Sequence, residues 1–112
     1  MISSYYSELL IDRVDCLTQE KRSELEKLAQ LPRRKQRIAP KQMRSVIRKV
    51  CWEQYVTIGA LAELVDRKPK FLQSHYLSLM VKDNELKLAF PSTPNDPRQA
   101  YITTQSQEED LE

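Results

Sequence analysis

Glycine is almost missing from this chain: Gly59 stands alone among 112 residues. Phosphate-cradling loops and dinucleotide-binding turns need several glycines, because there the backbone itself must approach the phosphate. Both are excluded within this chain. Histidine is as scarce, with His75 only, and there are two cysteines, Cys16 and Cys51, far apart in helical patterns. They lack the paired spacing of a zinc site and are expected as separate, reduced, structural thiols. No metal and no cofactor is expected. No apolar run approaches the roughly 18 residues that would cross a membrane. The opening residues, MISSYYSELL, have neither the basic start nor the long apolar core of a secretion signal. The expectation is a cytoplasmic protein with no membrane segment.

Catalytic chemistry is equally thin. His75 lies three residues after Leu72 and four before Leu79, on or beside an apolar face. A satisfied core histidine is expected there rather than a base, and no motif pairs it with a nucleophile. Asp12/Asp15 and Glu108/Glu109/Asp110 read as a solvated face and tail. An enzyme is not expected.

What the chain does have is charge, unevenly placed. Residues 1–32 carry 4 basic and 6 acidic side chains, residues 33–70 carry 11 and 3, and residues 71–112 carry 3 and 7. A net +2 thus hides a +8 band between ends of −2 and −4. Such a band suits a polyanion, and nucleic acid is the commonest.

In chain order, Tyr6, Leu10, Val14 and Leu17 predict a helix over 4–16. Thr18 is a good cap for a second, over 19–31, with a narrow stripe of Leu25, Leu28 and Ala29, ended by Pro32. This pair has three readings: a dimerisation hairpin, a surface docking on a larger partner protein, or a cover for the rest of the chain. Residues 32–41, PRRKQRIAPK, hold five basic residues and two prolines, which predicts an extended linker.

Pro40 suits a helix start, and Met43, Val46, Ile47, Val50 and Cys51 then repeat at helical spacing, predicting a core-facing helix over 41–54. Trp52 and Tyr55 are expected to pack. A very short strand at Val56–Ile58 is followed by a helix over 59–65 with Thr57 as its cap, a turn at Asp66-Arg67-Lys68, and a second helix over 69–78 opened by Pro69. After Tyr76 the residues are apolar all round, so this helix is expected to bend or end near Ser78. Leu86, Leu88 and Phe90 alternate as a half-buried strand, residues 91–97 form a proline-rich loop, and Gln99–Thr103 return as a second strand.

The resulting fold class is mainly α with a small β wing (α+β). It comprises an N-terminal helical extension (1–31), a basic linker (32–40), a winged helix-turn-helix domain (41–104) and an acidic, disordered tail (105–112).

Two stretches, LAELVDRKPKFLQSHYLSLMV and LKLAFPSTPNDPRQAY, carry a resemblance. The region 41–104 resembles the winged-helix module at the C-terminal end of bacterial AlbA/Schlafen-like ATP-binding proteins, related helicase-like proteins and Fic-like proteins. The wing pattern, strand then P-x-x-P-N-x-P then Q-A-Y, is the more specific part. This chain departs from the family in carrying Leu79 where proline is usual. The resemblance implies a nucleic-acid-binding accessory domain without ATPase or AMP-transfer activity. The chain is then either a free-standing protein or the C-terminal piece of a larger one.

Winged helices lay the second helix of the motif in the major groove, where side chains read base edges. The expected contacts to double-stranded DNA are Arg67, Lys68, Lys70, Gln73 and Ser74, with Lys87 and Arg98 of the wing on the backbone. Secondary basic contacts are expected from Arg33, Arg34, Lys35, Arg37, Arg44 and Arg48. A homodimer through residues 1–31 would suit a two-fold site. The competing reading is a winged-helix protein-interaction module that binds no nucleic acid.

Overall fold

A computed structural model describes residues 9–104. The described residues are α+β, 53% helical, with a small four-stranded mixed sheet. Its elements are β1 (Leu9–Ile11), a 3-10 turn (Val14–Cys16), α1 (Gln19–Leu28), α2 (Gln30–Arg34), α3 (Pro40–Val50), β2 (Gln54–Thr57), α4 (Ile58–Val65), a second long helix within residues 69–82, β3 (Leu86–Leu88) and β4 (Ala100–Thr103). The sheet order is β1-β2-β4-β3, with β1 parallel to β2 and the other neighbours antiparallel.

The first helix expected is not formed in the described residues; its positions 4–8 lie outside them. Residues 9–11 pair in parallel with Gln54, Tyr55 and Val56 instead. The helical spacing selected Leu10, which is exposed, and Val14, which is buried; Ile11, outside that spacing, is buried as well. Backbone partners on the edge of β2 outweigh a local pattern too short to hold a helix by itself. The hydroxyl of Thr57 reinforces this edge by donating to the Asp12 carbonyl at 3.2 Å.

Thr18 caps α1 as expected, its hydroxyl accepting from the Lys21 N–H at 3.1 Å. The break then comes at Ala29, not at Pro32. Pro32 falls in the first turn of α2, where its missing N–H would have had no helical partner. Hence Arg33 and Arg34, expected in an extended linker, are helical, and only residues 35–39 lack regular structure. Leu25 and Ala29 are buried in the same core as α3 and α4. The described part of the extension thus covers its own chain.

α3 realises its periodicity: Met43, Val46, Ile47 and Val50 are all buried. It stops at Val50 rather than 54, because Glu53 adopts left-handed backbone (φ 60°) and Gln54 enters β2. The Gln54 amide donates to the Val50 carbonyl at 2.8 Å, so this buried polar group is satisfied. The Thr103 hydroxyl donates to the Arg48 carbonyl at 2.7 Å, fastening β4 to the end of α3. Trp52, expected to pack, is 43% exposed. It lines a cavity of about 520 Å³ between α1 and α3. Cys51 is buried, and burial pushes its thiol up to about 12.

The helix–turn–helix pair follows the sequence closely at its start. The Thr57 hydroxyl accepts from the Ala60 N–H at 3.2 Å, Asp66 takes the left-handed turn (φ 59°), and Pro69 opens the second helix. The helix does not end near Ser78. Residues run through α5 (Pro69–Leu72), a π turn (Gln73–Leu77) and α6 (Ser78–Lys82), with αR backbone at every junction. The extra residue of a π turn rotates the helix beyond it by about 100°. That phase shift buries Leu77 and Met80 and leaves Leu79 46% exposed. The apolar residues on all sides after Tyr76 were thus the trace of a π turn.

The helix ends in a Schellman motif. Asn84 is left-handed (φ 63°), its N–H donates to Val81, and the Glu85 N–H donates to Met80 at 2.8 Å. β3 and β4 then form an antiparallel hairpin whose connection is organised by Gln99. Its buried amide accepts from the Phe90 N–H at 2.9 Å and donates toward the carbonyls of Phe90, Thr93 and Pro94 at 3.0–3.2 Å.

Candidate nucleic-acid interface

The turn before the second helix is fastened to residues 32–36. The fastening is Arg67. One of its terminal nitrogens donates to the carbonyls of Pro32 (2.9 Å), Val65 (3.2 Å) and Asp66 (3.0 Å). The other donates to Lys35 (2.8 Å) and Gln36 (2.9 Å). Arg33 completes the join by donating to Leu64 at 3.2 Å and Glu63 at 3.5 Å. Both guanidinium groups therefore satisfy carbonyls at the end of α4 that no helical N–H can reach, where the helix dipole also favours a cation.

These two arginines were expected at a phosphate backbone. The structure engages them with the protein's own carbonyls. The same holds for three others. Arg44 pairs with Asp83 at 3.2 Å and Glu85 at 3.3 Å, and Arg48 pairs with Glu85 at 3.0 Å. Arg98 pairs with Asp96 at 3.0 Å and lies 4.8 Å from the centre of the Phe90 ring. Hydrogen bonds from the Arg98 side chain and N–H hold the Asp96 carboxyl below the usual carboxylate range.

The remaining cations are more available. Lys68, Lys70 and Lys87 are exposed, as are Arg34, Lys35 and Arg37, and their side chains make no ion pair among the described residues. Ser74 is exposed, but its hydroxyl donates to the Lys70 carbonyl at 2.7 Å. Gln73 is half-buried.

Two side chains of this face were missed or misread from the sequence. Phe71 is 38% exposed at the first turn of the second helix. His75, expected in the core, is exposed and stacks on Phe71, with ring centres 4.4 Å apart and planes 26° apart. Its Nδ1 lies 3.2 Å from the Phe71 carbonyl. A carbonyl only accepts, so the Nδ1–H donates in this contact. The i, i+4 spacing of Phe71 and His75 was readable, but which face of the helix meets the core was decided by tertiary packing.

Beside Phe71 runs an open groove of about 840 Å³ between α4 and the start of the second helix, walled by Gly59, Ala62, Glu63, Asp66, Lys68 and Phe71. No group of His, Cys, Asp and Glu suited to a metal occurs among the described residues. No described helix is long and apolar enough to cross a membrane.

No protein-family model, curated protein or solved structure matches this chain.

Proposed function

We propose that this chain is a nucleic-acid-binding protein of winged-helix type. It grips double-stranded DNA with the second helix, residues 69–82, and with the basic stretch around Lys35 and Arg37. The observation that carries this reading is the placement of Lys68 and Lys70, exposed and without an ion-pair partner among the described residues, at the start of an outward-facing helix. The β3–β4 hairpin serves as the wing and brings Lys87. In this reading the role is that of a bacterial transcriptional regulator or a DNA-targeting accessory domain. The resemblance to the bacterial winged-helix module supports it through the KPKFLQSHY and PSTPNDPRQAY stretches.

The arginine pairing narrows the footprint. With Arg44, Arg48, Arg67 and Arg98 engaged internally, phosphate contact falls on the lysines and on Arg34 and Arg37.

Fluorescence anisotropy with random-sequence duplex DNA across a salt series tests the proposal. Each phosphate contact contributes a slope of roughly −0.9 in log affinity against log salt. Lys68→Glu/Lys70→Glu should weaken binding strongly and flatten the slope by about two contacts. Absence of binding at low salt refutes the reading.

One observation favours a second reading. Phe71 and Leu79 expose apolar surface on the same helix, as a protein-docking face would. Sedimentation of the intact chain at micromolar concentration separates a self-associating face from a monomer, and also decides whether residues 1–31 hold a dimer.

A further inference from the structure

We propose that the Phe71–His75 stack holds an unpaired nucleobase, so that the preferred ligand is a duplex continued by a single-stranded tail. The inference rests on the nucleic-acid reading and changes the form of the ligand it names.

Three observations converge. The first is the pair itself. Phe71 and His75 are stacked at 4.4 Å on a surface helix, and Phe71 is still 38% exposed. The edge of Tyr76 lies against the same ring at 6.0 Å, so the platform is braced from within. Aromatic faces beside unpaired cations are what single-strand binders use, because every base has a π-face and every linkage a phosphate. An intact duplex keeps its bases stacked on each other and gives Phe71 nothing to stack on.

The second is the groove. It has about 840 Å³, is bounded on one side by Phe71, and carries Glu63 and Asp66 on another wall. Two carboxylates repel a phosphate but accept hydrogen bonds from the exocyclic amino groups of adenine, cytosine or guanine. Lys68 also lines the groove, and Lys70 is exposed beside Phe71 in the chain. In the proposed pose the base lies in the groove and the backbone runs along the lysines.

The third is Gly59. It has no positive φ, so no backbone strain requires glycine there. A Cβ added at Gly59 would meet nothing within 4 Å. The chain's single glycine therefore has one visible consequence, which is open space in the wall of this groove.

The test compares a blunt duplex with the same duplex carrying a short single-stranded tail, by anisotropy at fixed salt. A DNA tail and an RNA tail are run as separate arms to distinguish the source of the base. For the native chain the tailed duplex is expected to bind roughly tenfold tighter, the scale of one stacked base. Phe71→Ala should bring the ratio of tailed to blunt affinity down to about one, while Phe71→Trp keeps the gain. Gly59→Gln, whose Cβ meets nothing within 4 Å and which raises helix propensity, should also abolish the gain by filling the groove. Circular dichroism checks that both variants fold.

A tail that adds nothing in the native chain overturns the inference, and so does a gain that survives Phe71→Ala. In either case blunt-duplex binding that remains sensitive to Lys68→Glu/Lys70→Glu leaves the nucleic-acid reading standing. Loss of all duplex binding refutes both.

Discussion

Replacing Arg67 with alanine asks whether this side chain serves the fold or the ligand. Five N–H···O contacts disappear together. They are not equal. The carbonyls of Asp66, Lys35 and Gln36 face solvent and are re-hydrated when the guanidinium leaves. Those of Pro32 and Val65 are partly buried and lose a charged donor. A hydrogen bond to a charged group contributes about 1.5–3 kcal/mol when shielded, and much less when exposed. With two partly shielded bonds and a modest dipole contribution at the end of α4, we expect a loss of about 2–3 kcal/mol. In a domain of this size that lowers Tm by about 10 °C. Urea denaturation and calorimetry measure it. Arg67→Lys should be nearly as damaging, because a point charge cannot bridge α2, the stretch 35–36 and α4 as the planar fork does. Unchanged stability in Arg67→Ala, with duplex affinity lost and then rescued by lysine, would refute the structural role and return Arg67 to the interface.

Three further perturbations read other parts of the molecule. Glu85→Gln releases Arg44 and Arg48 from their shared carboxylate, so duplex affinity should rise several-fold and its salt dependence steepen, for a stability cost of about 1 kcal/mol or less. Gln99→Leu strands the Phe90 N–H and the loop carbonyls it serves, and should destabilise the hairpin by about 1–3 kcal/mol, seen as faster amide exchange at Phe90 and Ala100. Asp96 should titrate below the ordinary carboxylate range by NMR, and Arg98→Ala should move it back up. Its pKa is lowered by folding, so what the pair contributes is present above the unfolded carboxyl value and is lost as pH falls through the folded one.

The sequence alone determined those features whose causes are local. The Met43, Val46, Ile47, Val50 spacing specifies the buried face of α3, because helix period and side-chain chemistry are both readable over a few turns. Thr18 and Thr57 mark helix starts by supplying the oxygen that a free N–H needs. Pro69 opens the second helix, and the basic band is plain from counting. Tertiary structure decided the rest. β1 exists because Gln54–Val56, more than forty residues away, offers it backbone partners. Whether an arginine faces solvent or its own fold is likewise non-local: Arg67 reaches back to residues 32–36, and Arg44 forward to Asp83 and Glu85. Charge can be counted along a chain, but its availability depends on where the chain returns. The π turn belongs to the same class. It is selected by the demand that Leu77 and Met80 both reach the core, and it leaves Phe71, His75 and Leu79 on the outside.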